Sequence, residues 1–554
     1  MTKSALQIVR TNYVPKMPEG IKGNVKLVEG EFTQSIADQE EIKKLFPNTY
    51  GLPVVSFTQT TGDEGLANPV NVGVILSGGQ APGGHNVIAG IFDGIKRLHD
   101  DSRLFGFILG PAGLVDHNYK ELTKDIIDEY RNTGGFDIIG SGRTKLETKE
   151  QFDKGLKILK KLNINALIII GGDDSNTNAC VLAEYYKSIN AGVQVLGCPK
   201  TIDGDLKNEQ IEASFGFDTA CKVYSELIGN IQRDCNSARK YWHFIKVMGR
   251  SASHIALECA LQTHPNICII SEEVEAKGYS LDDIVEYIAS IVAERAERGL
   301  NYGTVIIPEG LIEFIPAMKA LISELNDFLA NNQEEFDLVR RSAKREYIIS
   351  KLSPKNAEIY ASLPESVARQ LTLDRDPHGN VQVSKIDTED LLTEMVGNKL
   401  KKLTKEGKYK GAFSTVTHFF GYEGRCSAPS NYDADYCYSL GYTSSLLVAS
   451  GKTGYMSSVR NTTAPADKWI AGGIPITMML NLERRHGEMK PVIQKALVDL
   501  DGAPYKYLES QREKWAEHTD YVYPGPIQYF GPEVVCDQPT KTLLLEQTGS
   551  IEYK

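Results

Sequence analysis

The chain has 554 residues, 41% hydrophobic and 24% charged, which is ordinary for a globular protein and long enough for more than one domain of roughly 100–200 residues. Its formal net charge of −11 argues against a generic nucleic-acid binder, because phosphate backbones demand a basic footprint; small phosphorylated ligands need only a local basic pocket. No stretch reaches the ~18 apolar residues of a membrane span, the start lacks an apolar signal segment, and the nine cysteines are scattered without a C-x-x-C pair, so the expectation is a cytoplasmic chain with no membrane partner, disulfide framework or zinc ribbon.

Residues 1–70 are polar, with several Pro and Gly and a short helix expected near Asp38–Leu45; they read as an extension wrapped over the main body. From Asn71 short β-branched runs recur at 72–76, 104–109, 137–140, 166–170, 193–197, 243–247, 267–270 and 304–307, with helical spacing between most of them. Ile88, Ile91, Phe92, Ile95 and Leu98, for example, share one apolar helix face. Strands alternating with helices predict a parallel sheet with helices on both faces, whose ligands bind at the carboxyl ends of the strands. Residues 311–410 are charge-rich and helical, an inserted subdomain with a turn signal at 374–380. Strand texture resumes at 412–420, and helical and irregular segments are expected from there to the end. Gly451-Lys452-Thr453 lacks the glycine that a Walker A loop has five residues earlier, and reads as a helix C-cap and turn. The sequon at Asn461 reads as a chance match.

Three strand-end loops carry chemistry. The first, SGGQAPGGHN at 77–86, offers bare backbone amides before a helix, an arrangement suited to phosphate; it also satisfies a tight strand–helix turn. The second, Gly171-Gly172-Asp173-Asp174-Ser175, sets two carboxylates beside a glycine pair, and Ser175 could cap the helix that follows. The third runs from Pro199 through Lys200, Thr201, Ile202, Asp203 and Gly204 to Asp205. Its lysine and carboxylate can share phosphoryl transfer, one neutralising charge and the other taking a hydroxyl proton, or can form an Asx-type turn with a surface lysine.

Together with MGR at 248–250, PEG at 308–310 and GYEGR at 421–425, these loops resemble, in order and element type, the phosphofructokinase family, and most closely its long-chain pyrophosphate-dependent branch. The resemblance covers roughly residues 70–310 and 411–480. It implies an α/β, phosphofructokinase-like fold of two Rossmann-like parallel-sheet domains, plus the N-terminal extension and the helical insertion. Residues 71–240 would form the donor domain and 241–310 with 411–480 the fructose 6-phosphate domain, while 481–554 packs back on the core. It implies that Gly78, Gly79, Arg143 and Lys200 contact the diphosphate, that Asp173 holds Mg2+, and that Asp203 is the general base, with Asp174, Lys200 and Arg250 also catalytic. Fructose 6-phosphate would be bound by Thr201, Ile202, Asp203, Met248, Gly249, Arg250, Glu309, Tyr422, Glu423, Gly424 and Arg425. Lys240 and Tyr241 would reach the sugar phosphate of a neighbouring subunit, making a homodimer with shared active sites.

Asp174 is the position that discriminates between donors. ATP-using members resemble one another in a glycine here, which leaves room for the nucleotide's α-phosphate; a carboxylate fills that room and adds charge. Two unit charges about 4 Å apart repel by on the order of 4 kcal/mol at an effective dielectric of about 20. Lys200, also at a place where ATP users carry glycine, points the same way. The alternatives are an ATP-dependent 6-phosphofructokinase and a catalytically silent regulatory subunit, which should have lost its base or its lysine; a lipid or NAD kinase relative would share the GGD loop but not GYEGR and MGR.

Overall fold

The computed structural model describes residues 3–62, 68–373, 381, 385–485, 488–536 and 538–552. The turn expected at 374–380 lies outside them. Two compact units emerge, one of residues 1–223, 422–496 and 527–554, the other of 224–421 and 497–526. The sequence reading joins 411–480 to 241–310; the structure instead parts the chain between Gly421 and Tyr422. The reason is that the helix Asn431–Ala449, buried along almost its whole length, packs against Gly84–Leu98 of the first unit.

The first unit is built on a nine-stranded sheet. Its centre is parallel, in the order Tyr455–Arg460, Gln194–Pro199, Ala166–Gly171, Asn71–Leu76 and Arg103–Phe107. The central strands Ala166–Gly171 and Asn71–Leu76 are buried almost throughout, as a parallel sheet covered by helices on both faces requires. The extension adds two strands, Val25–Phe32 and Pro53–Gln59, which pair antiparallel and continue the sheet beyond Ile470–Pro475. It also carries the helix Gln39–Leu45, with Asp38 at the N-cap, where one was expected, and a second helix, Ala5–Thr11, that was not. Residues 137–140, expected as a strand, form a turn whose Ile138 and Ile139 are buried. The region after 450, expected to be helical and irregular, carries the strands Tyr455–Arg460 and Ile470–Pro475 and the hairpin Leu480–Arg485 with Glu488–Ile493. Gly451 has a φ of +68° just past the helix end, and Lys452 N donates to Leu447 O at 3.0 Å, the helix stop expected there.

The second unit has a parallel four-stranded sheet, in the order Thr415–Phe420, Trp242–Val247, Gly303–Pro308 and Ile267–Cys268. The insertion supplies the helices Pro316–Leu338, Lys344–Lys351, Pro354–Ser362, Glu365–Leu373 and Thr388–Lys405, whose apolar faces share one core with the sheet strands Trp242–Val247 and Gly303–Pro308. A buried ion pair, Lys246 to Glu389 at 2.7 Å, joins the last of these helices to the central strand. Among the described residues no helix is long and apolar enough to cross a membrane.

Candidate active site

Strand register in the first unit sets where the chemistry lies. Leu76 pairs with Ile170 and Gly171 with Pro199, so the loops beginning at Ser77, Gly172 and Lys200 leave adjacent strands on one edge. Ser77 N donates to Ile170 O at 2.8 Å and Gly78 N to Gly142 O at 2.9 Å, which draws the turn bearing Arg143 against the glycine loop. Gly78 has a φ of +84°, and a Cβ there would lie 3.3 Å from Lys200 Nζ. At Gly79 a Cβ would lie 3.0 Å from Arg425 Nη1 and 3.7 Å from Arg143 Nη2. Arg425 Nη1 also donates to Gln80 O at 3.3 Å. Three cations therefore converge on a stretch of backbone with no side chains in the way, which is the arrangement phosphate oxygens need. Lys200 is 5% exposed. Burial, followed by the charge of Arg425, lowers its pKa to about 8; Asp203 and Asp173 oppose that shift and Arg143 adds a little to it.

The carboxylates stand beside this pocket. Asp173 and Asp174 open the helix Asp173–Ser188, where the macrodipole favours negative charge. Ser175 is not the cap that the sequence suggests: Gly172 occupies the N-cap, and Ser175 Oγ instead bonds Ser77 Oγ at 2.8 Å, tying the second loop to the first. Asp174 pairs with Lys145 Nζ at 3.2 Å, and Asp173 Oδ2 lies 3.6 Å from Lys495 Nζ. The Asp174 charge is thus partly neutralised, so the repulsion expected of a bare carboxylate is smaller, while its bulk remains.

In the third loop Asp203 N donates to Thr201 Oγ1 at 3.0 Å, and Asp203 Oδ1 is buried without a hydrogen-bond partner among the described residues. An acceptor left so costs about 1–3 kcal/mol, and a ligand hydroxyl donated to it would recover that. Ile202 is 1% exposed, so its side chain belongs to the core and only its backbone remains for a ligand. Asp205 is buried, and its pKa is pushed up to about 7, first by burial and then by the charges of Asp203 and Asp173, with Lys495 and the Thr201 hydroxyl pulling the other way. Tyr422, Glu423, Gly424 and Arg425 form a single helical turn in which Gly424 is buried and Tyr422 is 75% exposed.

Lys145, Lys495 and Asp205 were not singled out from the sequence. Lys145 follows Arg143 by two residues and Asp205 ends the loop that begins at Pro199, so both lie beside residues that the local pattern marks. Lys495 follows a hairpin with no motif of its own, and only the fold brings it here.

In the second unit, Val247 pairs with Pro308, so 248–250 and 308–310 emerge side by side. Gly249 N donates to Glu309 Oε2 at 3.2 Å, and Glu309 is 5% exposed. A Cβ at Gly310 would lie 1.9 Å from Arg250 O, so only glycine allows this approach. Met248 is buried, and Arg250 is exposed. Lys240 and Tyr241, with Lys240 Nζ 4.9 Å from the Tyr241 ring centre, precede the other end of the same strand, about 20 Å from Met248 at ~3.3 Å per residue. One copy of the chain does not bring these two groups together.

The model of the family described as Phosphofructokinase matches residues 71–447. The chain belongs to that family. Its similarity to members of the phosphofructokinase family extends well beyond the match: it is 67% identical to the pyrophosphate–fructose 6-phosphate 1-phosphotransferase of Porphyromonas gingivalis, covering 99% of this chain and 100% of that one. It is 53% identical to the enzyme of the same name from Treponema pallidum, covering 99% and 98%. Among solved structures, a pyrophosphate-dependent phosphofructokinase from Marinobacter aquaeolei superposes with a TM-score of 0.54 over 84% of this chain and 95% of that one, at 14% identity, which shows the shared phosphofructokinase fold.

Proposed function

We propose that this chain catalyses the reversible phosphorylation of fructose 6-phosphate at its 1-hydroxyl by inorganic pyrophosphate, giving fructose 1,6-bisphosphate and orthophosphate. The observation that carries the reading is the convergence of Lys200, Arg143 and Arg425 on the backbone of Gly78 and Gly79, beside the partnerless Asp203 oxygen. A diphosphate lying on the glycine loop favours the charged form of Lys200 and draws on both guanidinium groups, which oppose the negative charge of the moving phosphoryl group. Asp203 accepts the proton of the sugar 1-hydroxyl as that oxygen attacks phosphorus, and orthophosphate leaves. Asp174 with its Lys145 partner fills the space that a nucleotide would need beyond the second phosphate.

Fructose 6-phosphate is bound by Thr201, the Ile202 backbone and Asp203, by Met248, Gly249, Arg250 and Glu309, and by Tyr422, Glu423, Gly424 and Arg425. The donor domain is the first sheet with its three loops. Among the described residues no group of three or more His, Cys, Asp and Glu is gathered to hold a metal. That fits magnesium, which commonly takes one or two carboxylates and completes its oxygen shell from phosphate and water; Asp173 would hold it. Bound there, magnesium would neutralise charge on the diphosphate oxygens. Lys240 and Tyr241 serve the sugar phosphate of a neighbouring copy, so the working enzyme is a homodimer in the cytoplasm.

Phosphorus NMR of fructose 6-phosphate with magnesium pyrophosphate tests the reading. Fructose 1,6-bisphosphate and orthophosphate should appear in equal amounts, and mixing these two should regenerate pyrophosphate. Orthophosphate formed without the bisphosphate would refute it.

A further inference from the structure

Lys495 comes from outside every loop to which the chemistry has been assigned. Two hydrogen bonds from backbone N–H groups flank it: Ile493 N donates to the Thr177 side-chain Oγ1 at 3.1 Å, and Ala496 N donates to Asp205 O at 2.8 Å. The first ties it to the helix that begins with Asp173, the second to the loop that carries Asp203 and Asp205. Between these two anchors its ammonium stands 3.6 Å from Asp173 Oδ2 and within electrostatic reach of Asp205.

We infer that Lys495 is the resident counter-ion of the metal-holding carboxylate: it occupies Asp173 in the enzyme without substrate and gives way when the divalent ion arrives with its diphosphate. This rests on the proposed role of Asp173. Like charges cannot share one carboxylate cheaply, so a lysine within 4 Å of Asp173 lowers the affinity of the free enzyme for a bare divalent ion. A diphosphate-bound ion brings its own negative charge and meets no such opposition. The lysine therefore favours the metal–diphosphate complex over the metal alone, and it holds Asp173 in place until that complex binds. Lys495 is a positioning residue and takes no proton in the reaction.

Manganese(II) provides the probe, followed by electron paramagnetic resonance on the full-length chain without pyrophosphate or sugar phosphate. Lys495→Met should bind the ion about fivefold more tightly than the native chain, the size expected for removing one screened ion pair, and Lys495→Arg should stay within about twofold of native. Asp173→Asn should lose the site. Should Lys495→Met not fold, as read by circular dichroism, Lys495→Gln carries the same expectation. Loss of binding in Asp173→Asn with unchanged or weaker binding in the Lys495 variant overturns the inference and leaves the metal assignment standing. Unchanged binding in Asp173→Asn overturns the metal assignment, and the inference with it.

Discussion

The pairing of Asp174 with Lys145 turns the donor argument into a double-mutant cycle. Asp174→Gly removes both bulk and charge, and it also frees Lys145, whose ammonium stands 3.2 Å from the carboxylate in the native chain. A free lysine there attracts an α-phosphate that the native pair only excludes. A fully unscreened pair would be worth on the order of 4 kcal/mol at an effective dielectric of about 20. The side chains are 44% and 28% exposed, however, and pairs this wet contribute no more than about 1 kcal/mol. Asp174→Gly should therefore raise kcat/KM for ATP, and adding Lys145→Met should take back about fivefold of the gain. Lys145→Met alone should lower ATP use further, because it leaves the carboxylate bare. The assay is fructose 6-phosphate phosphorylation with magnesium ATP, at fixed ionic strength, for the native chain, both single variants and the double variant. Unchanged ATP use on Lys145→Met in both the native and the Asp174→Gly backgrounds would show that the lysine has no part in donor choice.

Three further predictions concern other parts of the site. Asp203→Asn should lower kcat by about 10²–10⁴-fold with little change in pyrophosphate binding by calorimetry, as loss of a general base does. Gly310→Ala, whose Cβ would fall 1.9 Å from Arg250 O, should raise KM for fructose 6-phosphate strongly and leave pyrophosphate affinity intact; equal losses for both substrates would contradict the assignment of that loop. Lys200 has a folded pKa lowered to about 8 from 10.5, so the native state gives up its proton first as pH rises. Below pH 8 both states are protonated and burial of the charge destabilises the fold; between about 8 and 10.5 the unfolded state binds more protons, so this group's contribution to stability improves with pH. Diphosphate binding needs the charged form, so KM for pyrophosphate should climb above pH 8, and Lys200→Met should flatten that rise.

Much of this was legible because the chemistry sits where local patterns are strong. Runs such as Ala166–Ile170 are wholly apolar because a covered parallel strand buries both faces, and the loops at Ser77, Gly172 and Lys200 follow directly. The misses have physical causes. Ile138 and Ile139 are as apolar as a strand but are buried in a turn, and composition alone cannot tell these apart. Val25–Phe32 is mostly exposed at the sheet edge, so its pattern lacks a buried face. The strands after residue 450 complete the sheet through pairings across hundreds of residues, such as Tyr455 with Leu196. Lys495 reaches Asp173 by the same kind of long connection, and the partial neutralisation of Asp174 by Lys145 depends on a side-chain distance that no spacing rule supplies.

Donor choice is decided by kcat/KM of the native chain with magnesium pyrophosphate and with magnesium ATP, measured in the same fructose 6-phosphate assay. We expect turnover with pyrophosphate and a much lower kcat/KM with ATP, because the bulk of Asp174 and what remains of its charge stand against the nucleotide's α-phosphate. Comparable or preferential use of ATP would contradict it.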